Sequence, residues 1–492
     1  MGLLTLYSGI LLPWFGGTFW LIAADAHFNK HGNVNRFRQA GYGFFLGFAF
    51  LFLAIMLSNK LSGSVSWPQL MVVLLMFSIS GAIVAKLASR QQGVTTANPT
   101  TSLPAVPKAV FALAMLLMTI HLIFIAVEII TQPLYPWDAW AAWVYRAKAW
   151  FLSGGLTGIT SPSNWATVNS ADIYTFDAWS YPPFASIIPY WAALSLGRWS
   201  ETLINLPVFF AGLAIGLGLY GQCREHGLSV LYSLMACYLL FSIPLLGTHL
   251  ALAGYADIWM AGFTGLGFVA MMRGTINYDE AAKSWMNITL GLLMILFSVW
   301  VKNEGAVWFL AALAMVTLAA CRPRVPILIV AGAIAAALLT IAMGHTYIEI
   351  PFIGKLGLVD NRLAIPFIGY FKLEVHDVRN VYWKNFITMG TWNLFWLAVA
   401  GSLLLGFRSS TLSSGYSIKR TVVSFILVFL ATQVFIFGFT NKGLWADTYT
   451  AINRLPLHFI PALLFAVMVT IHASLSNIGT TVITQESHDG DS

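Results

Sequence analysis

Apolar runs of about 20 residues recur along the chain, and most of the polar connections between them are shorter than the runs. A helix needs about 20 such residues to cross the hydrocarbon core of a bilayer. The 492 residues are 58% hydrophobic and only 9% charged, with a mean hydropathy of +0.76. A soluble domain cannot bury that much apolar surface. The sequence therefore predicts an all-α, polytopic membrane protein.

Thirteen of these runs are long enough to be candidate transmembrane helices. The first has no basic leading segment and no small-residue cleavage site, so we interpret it as a span and not as a signal peptide. Cys223, Cys237 and Cys321 indicate neither a disulfide framework nor a metal cluster. The predicted spans cover residues 3–23, 41–59, 68–87, 109–131, 203–222, 229–246, 255–272, 285–301, 305–320, 325–343, 388–407, 421–439 and 456–473.

Lys and Arg residues concentrate in alternate connections, and this bias sets the orientation of a membrane protein. If the thirteen spans alternate, 14 of the 26 basic residues share one side, which we assign to the cytoplasm. Eleven of the 19 acidic residues fall on the other side, together with two long connections, 132–202 and 344–387. We expect the N-terminus outside, the C-terminus inside and the working face outside. The net charge of +7 then reflects loop bias and phosphate contacts, and we expect no nucleic-acid partner.

The first long connection opens on Asp138, which is followed by a Trp-rich helical pattern. Such a pattern is typical of a helix lying in the membrane interface, with Arg146 and Lys148 off its apolar face. The Asp138 carboxylate has two interpretations, a contact with the helix dipole or a functional acid. Asp177 and the Tyr181-Pro182-Pro183 segment follow in the same connection. The residues predicted to share the apolar face are Trp140, Trp143, Ala147 and Trp150.

Three further polar groups stand out. Asp257 begins the seventh span, where it either caps the helix or serves a site. Lys302, Asn303 and Glu304 lie together between two apolar spans, and charges near membrane depth are usually functional or paired. A Lys302–Glu304 ion pair is the simpler alternative.

The remaining candidates are cationic. Arg379 lies in the second long connection, and Arg454 lies just before the last span. Arg454 and His458 are four residues apart, so we expect them on one helix face. Arg binds phosphate through a planar fork, although Arg454 could instead extend to a lipid phosphate.

Together these motifs resemble the GT-C superfamily of membrane glycosyltransferases. The resemblance rests first on Asp138, which follows a span, lies on a Trp-rich interfacial helix and precedes a Tyr-Pro-Pro segment. The Lys302-Asn303-Glu304-Gly305 segment and the Arg454…His458-Phe459-Ile460-Pro461 stretch resemble its bacterial branch near the protein O-mannosyltransferases and lipid A aminoarabinose transferase. The resemblance covers 109–474, with 1–108 as additional N-terminal helices and 475–492 as a disordered cytoplasmic tail.

The resemblance implies transfer of a sugar from a polyprenyl-phosphate donor on the outer face of a bacterial inner membrane. The acceptor is a glycan, a lipid or a protein. Asp138 would be the catalytic base of an inverting single displacement. Lys302 and Arg454 would hold the phosphate, and Glu304 and Asp257 would orient hydroxyl groups. Asp177, Tyr181, Arg379 and His458 are further candidate substrate-binding residues.

Trp137 and Ala139 flank Asp138 where this superfamily usually has a second acid, so the sequence supports no metal or other cofactor. Two other classes of function remain open. A lipid-linked glycan polymerase or ligase would concentrate Arg and His in one large outer loop. A transporter or flippase of a lipid-linked sugar would have discontinuous spans and ionisable residues near the bilayer midplane.

Overall fold

The computed structural model describes residues 2–28, 34–90, 108–168, 173–276, 281–321, 324–343, 346–350, 354–360, 362–365, 369–409 and 413–489. The chain divides into two compact units. Unit 1 is Met1–Val269 with Trp300–Lys302, and unit 2 is Ala270–Val299 with Asn303–Ser492. Most of the described residues are helical, as the sequence predicts.

Unit 1 contains the first eleven helices and a short parallel pair of strands, β1 (Gly158–Ile159) and β2 (Ile173–Tyr174). Its helices are α1 (Gly2–Phe28), α2 (Arg36–Ser62), α3 (Trp67–Arg90), α4 (Lys108–Thr131), α5 (Val144–Ser153), α6 (Pro162–Trp165), α7 (Phe184–Leu196), α8 (Leu206–Glu225), α9 (Val230–Phe241), α10 (Pro244–Ala251) and α11 (Asp257–Met260).

Close helix crossings bind α1 and α2 into unit 1. Asn35 caps α2 by accepting a hydrogen bond from the Phe37 N–H, and Gly63 ends the helix in the left-handed conformation. A Cβ on Gly47 would lie 1.8 Å from the Pro13 carbonyl oxygen, so only glycine fits where α2 crosses α1. Because α1 also packs on α7, and α2 on α8, the helices of predicted segment 1–108 belong to the same unit as those that follow.

Unit 2 contains the remaining helices. The segment α12 (Leu266–Ile276) continues α11 through a π-helical stretch, Ala261–Gly265, and includes the boundary between the units. The others are α13 (Ala281–Phe297), α14 (Glu304–Ala320), α15 (Arg324–Ala342), α16 (Arg379–Trp383), α17 (Phe395–Ser409), α18 (Ser413–Phe439), α19 (Leu444–Asp447) and α20 (Ile460–Asp489). Since α20 runs to Asp489, a helix occupies most of the stretch predicted as a tail, 475–492.

An antiparallel four-stranded sheet occupies part of the second long connection, and the all-α prediction did not include it. Its order is β3-β4-β5-β6, with Ile348 opposite Leu356 and Leu363 opposite Phe371. Alternating and β-branched residues in short runs form such meanders. The strands are β3 (Tyr347–Ile350), β4 (Gly354–Val359), β5 (Arg362–Ile365) and β6 (Gly369–Lys372).

Seven described helices are long and apolar enough to cross a membrane, or eight if the pair α9–α10, bent by 65°, counts as one span. The chain is therefore a polytopic membrane protein, whereas the count of thirteen spans remains a prediction. Predicted spans 285–301, 305–320 and 388–407 correspond to shorter apolar helices, Ser284–Trp300, Glu304–Ala320 and Phe395–Leu405. At about 1.5 Å per residue these are shorter than a typical hydrocarbon core.

Candidate functional site

The helix that starts at Asp138 has a different buried face from the one its Trp spacing predicts. Trp143, Ala147 and Trp150 are buried, whereas Trp140 is 65% exposed. The reason is a π-helical segment, Ala139–Trp143, which inserts extra backbone and shifts the register between Trp140 and the later residues. Such segments frequently occur at functional sites.

Asp138 itself is half-buried and has helical backbone angles, φ −59° and ψ −32°. Its side chain does not cap the π-helical segment that follows. The helical backbone angles do not suit an N-cap residue. The contact with the helix dipole considered from the sequence needs no such hydrogen bond and stays a prediction.

Arg146, predicted to lie off the apolar face, is instead buried in unit 1. Its Nη1 donates to the Tyr181 carbonyl oxygen at 2.9 Å and its Nη2 to the Trp179 carbonyl oxygen at 3.0 Å. Its Cζ lies 4.9 Å from the centre of the Phe176 ring. Burial lowers the pKa of the guanidinium to about 10. Arg146 therefore ties the Tyr-Pro-Pro segment to α5.

The position of Tyr181 follows from that attachment. Its ring packs edge-on against Trp143, with 5.1 Å between ring centres. The structure therefore places Tyr181 beside the segment that starts at Asp138. Asp177, in the turn just before, is exposed.

Gly254 allows the loop that precedes Asp257 to pack against Ala139, the residue after Asp138. Gly254 has φ +109°, and a Cβ there would lie 2.6 Å from Cβ of Ala139 and 3.4 Å from Cδ2 of Leu134. Both the backbone angle and the space require glycine at this position. The loop Gly254–Ala256 thus packs on the first turn after Asp138.

Asp257 is fully buried and joins two side chains that the sequence separates widely. Lys302 Nζ donates to its Oδ1 at 3.2 Å, and His249 Nε2 lies 4.0 Å from its Oδ2. The ring of Tyr255 lies on the His249 imidazole, with 4.6 Å between the ring centres. The structure thus gives Lys302 an ion pair with Asp257, which the sequence analysis did not consider. The Lys302–Glu304 pair considered from the sequence stays a prediction.

The His249 ring is oriented by its own helix. Its Nδ1 lies 2.9 Å from the Leu245 carbonyl oxygen, so Nδ1 carries the proton and donates it. The other nitrogen, Nε2, faces Asp257. The sequence analysis did not select His249; the available signal was a histidine within an apolar run, eight residues before Asp257.

In unit 2, His458 is buried and accepts a hydrogen bond through Nδ1 from Trp308 Nε1 at 3.1 Å. Trp308 lies one turn into α14, which starts at Glu304. Arg454 immediately precedes a 3₁₀ helix, Leu455–Phe459. The prediction that Arg454 and His458 share an α-helical face is therefore wrong, because a 3₁₀ helix advances three residues per turn.

Lys442, which the sequence analysis did not select, is a half-buried cation of unit 2. Burial lowers its pKa, and the nearby Glu304 carboxylate acts in the opposite direction. Its ammonium lies 3.8 Å from the centre of the Trp445 ring. Lys442 and Glu304 therefore belong to one electrostatic environment.

Arg379 forms a local pair on the surface of unit 2. Its Nε and Nη2 donate to Asp377 at 2.9 and 2.8 Å, and its side chain is 90% exposed. Hydrogen bonds from the Arg379 side chain and backbone lower the pKa of Asp377 to about 2. Exposed pairs of this kind contribute little to stability.

Within the described ranges, no three His, Cys, Asp or Glu side chains converge as a metal site requires. The long apolar helices and the buried charges define an integral membrane protein with an ionisable cluster, Asp257–Lys302–His249, in unit 1. Comparison of the chain with protein-family models, with curated proteins and with solved structures found no match.

Proposed function

We propose that the protein is a membrane glycosyltransferase of the GT-C type, which transfers a sugar from a polyprenyl-phosphate donor to an acceptor outside the cytoplasm. One observation carries the proposal. The loop Gly254–Ala256, which leads directly to Asp257 of the Asp257–Lys302 pair, packs against Ala139, the residue after Asp138. A half-buried acid, a buried cation and a hydroxyl-orienting carboxylate are the groups that such a transfer needs.

In this proposal Asp138 accepts the proton of the acceptor hydroxyl while that oxygen attacks the anomeric carbon. The bond from that carbon to the phosphate oxygen breaks, and the polyprenyl phosphate leaves with the bonding electrons. The result is inversion at the anomeric carbon. Because Asp138 is half-buried, its carboxylate is accessible to an acceptor.

Lys302 would stabilise the negative charge of the departing phosphate. An ammonium has three N–H groups, so a hydrogen bond to Asp257 is compatible with a second acceptor such as a phosphate oxygen. Asp257 keeps the ammonium oriented. Ionisable side chains inside a membrane protein are costly, and function is the usual reason for their presence.

A transporter of a lipid-linked sugar is the second candidate, because one observation favours it. The apolar pair α9–α10 is bent by 65°, and α10 carries His249 of the ionisable cluster. Broken helices beside charged groups are typical of transport sites.

Comparing the glycolipids of membranes with and without the protein separates the two proposals. A glycosyltransferase leaves one lipid-linked sugar accumulated and one glycosylated product missing when the protein is absent. The variant Asp138→Asn, expressed at the normal level, should reproduce that loss. If the product still forms inside the cell and is only absent from the outer face, transport replaces transfer. An unchanged glycolipid inventory contradicts both.

A further inference from the structure

A cavity of about 400 Å³ lies among α1, α2 and α3, the helices to which the proposed function gives no role. Phe19 and Ile22 of α1, Arg36 and Gln39 of α2, and Lys86 of α3 contribute to its wall. This volume is within the range of small-molecule binding sites. The cavity is lined by helices of unit 1 only.

Polarity changes with depth in this cavity. Arg36 is the first residue of α2, and Lys86 lies four residues before the end of α3. Ile22 and Phe19 lie six and nine residues before the end of α1. At about 1.5 Å per residue, these two apolar side chains start roughly 9 and 14 Å below the helix end. Arg36 lies at its helix end and Lys86 about 6 Å from its own, so both cations start nearer to the helix ends than the apolar side chains. A long lysine side chain extends further toward the headgroups.

Both cations are exposed, and among the described residues no carboxylate pairs with either of them. The chain on either side offers no acid, since segments 29–33 and 91–107 contain neither Asp nor Glu. Two cations at a rim without an acid favour an anionic ligand.

A buried ion network holds this rim in place. Gln39 Nε2 donates to Oδ2 of Asp25 at 2.7 Å, and Asp25 is also bound by Arg38. Arg38 Nε donates to Oε1 of Glu225 at 2.8 Å, and the same carboxylate oxygen accepts from the Asn35 N–H at 2.6 Å. Asp25, the acid beside the cavity, is thus already paired with Arg38 and Gln39 and does not oppose an anion.

We propose that this cavity is a binding site for an acidic phospholipid. Arg36 offers the planar fork that matches a phosphate, and Lys86 adds a second positive charge. The acyl chain lies against Phe19 and Ile22, which a free phosphate ion would leave exposed to water. Basic pockets between transmembrane helices bind anionic headgroups in this way. The site is independent of the proposed glycosyl transfer.

The test measures phospholipid retained by the purified full-length protein in detergent, by native mass spectrometry. Phosphatidylglycerol is the probe, phosphatidylcholine the neutral comparison and glycerol phosphate the free headgroup. The Arg36→Gln/Lys86→Gln variant removes both rim charges. The Lys60→Gln/Lys108→Gln variant removes the same charge away from the cavity and is the matched control. Ala82→Phe fills the cavity without changing charge.

We expect one tightly retained phosphatidylglycerol per protein, weakened about 30-fold in the Arg36/Lys86 variant and unchanged in the Lys60/Lys108 control. Ala82→Phe should weaken it as well. If the double variant does not fold, Lys86→Gln alone should weaken retention about fivefold. Equal losses in the two double variants would mean diffuse attraction and overturn the site. Equal retention of phosphatidylcholine, or equally tight binding of glycerol phosphate, would overturn the assignment to an acidic lipid.

Discussion

The ammonium of Lys302 lies 3.2 Å from Oδ1 of Asp257, 45 residues earlier in the chain, and both side chains are buried. Removing one partner of a buried pair leaves an uncompensated charge, which typically costs about 3–5 kcal/mol. Removing both costs less, because no isolated charge remains. The pair can therefore be tested for its role in stability and in activity separately.

The first prediction concerns this pair. Lys302→Met should destabilise the protein by about 3–5 kcal/mol, and the double variant Asp257→Asn/Lys302→Met should recover at least about 1 kcal/mol of that loss. Thermal unfolding of purified protein in one detergent measures both. If the double variant is stable but transfers no sugar, the pair serves the reaction. Normal sugar transfer by the double variant would show that the Asp257–Lys302 pair serves only the stability of the protein.

The second prediction concerns Gly254, where a Cβ would lie 2.6 Å from Cβ of Ala139. Gly254→Ala should reduce activity per folded molecule, because the new methyl group displaces the turn that carries Asp138. Gly197→Ala is the matched control, since Gly197 also has a positive φ, +74°, but a Cβ there meets nothing within 4 Å. Both variants carry backbone strain of about 1–3 kcal/mol. Equal activity of the two would refute the coupling between Gly254 and Asp138.

The third prediction assigns the base. Asp138→Asn keeps the size of the side chain but cannot accept a proton, so turnover should fall about 10²- to 10⁴-fold. Protein yield and thermal stability should stay nearly normal, because the side chain does not cap the helix. Asp177→Asn, an exposed acid of the same connection, is the control. An inactive Asp177→Asn beside an active Asp138→Asn would transfer the role to Asp177.

The fourth prediction concerns Arg454, which precedes the 3₁₀ helix that carries His458. Arg454→Lys keeps the positive charge and loses the planar fork. We expect the apparent affinity for the donor to fall about tenfold, which is the order of one charge-assisted hydrogen bond. The measurement is the concentration dependence of transfer with a polyprenyl-phosphate sugar. An unchanged dependence would identify Arg454 as a lipid anchor.

The fifth prediction tests α4 as a span. Arg90→Cys and Asn164→Cys lie on either side of α4, and the loop-charge bias places residue 90 inside and residue 164 outside. An impermeant thiol reagent applied to intact cells should label only the second variant. Both variants need Cys321→Ser, because Cys223 and Cys237 are buried and Cys321 is only half-buried. Labelling of both from outside would show that α4 does not cross.

The sequence predicts the helical membrane fold well because apolar length is a local property. Five of the seven long helices match predicted spans within four residues at each end, among them α4. The other two, α1 and α2, extend five residues beyond the predicted span at one end. The assignment of short helices such as α14 as spans is less certain, because a mostly apolar helix of 17 residues suits a tilted span or a buried helix equally.

The site was only partly predictable, because periodicity assumes regular helices. The π-helical segment after Asp138 moves Trp140 out of the buried face, and no residue type in the sequence predicts such an insertion. Arg146 was assigned to the surface, although two carbonyl groups and the Phe176 ring stabilise it inside. The Asp257–Lys302 contact depends on tertiary packing, so the sequence identified both residues but not their pairing.

The bend between α9 and α10 has a consequence for the surrounding lipid. A break in a helix interrupts its internal backbone hydrogen bonds, and hydrocarbon cannot replace them. Pro244, the first residue of α10, has no N–H to contribute. Such a backbone is stable in a bilayer only where protein or water surrounds it. The bend therefore requires protein or water, and not acyl chains, around the start of α10. His249, six residues after Ile243, is 4% exposed and is enclosed by protein.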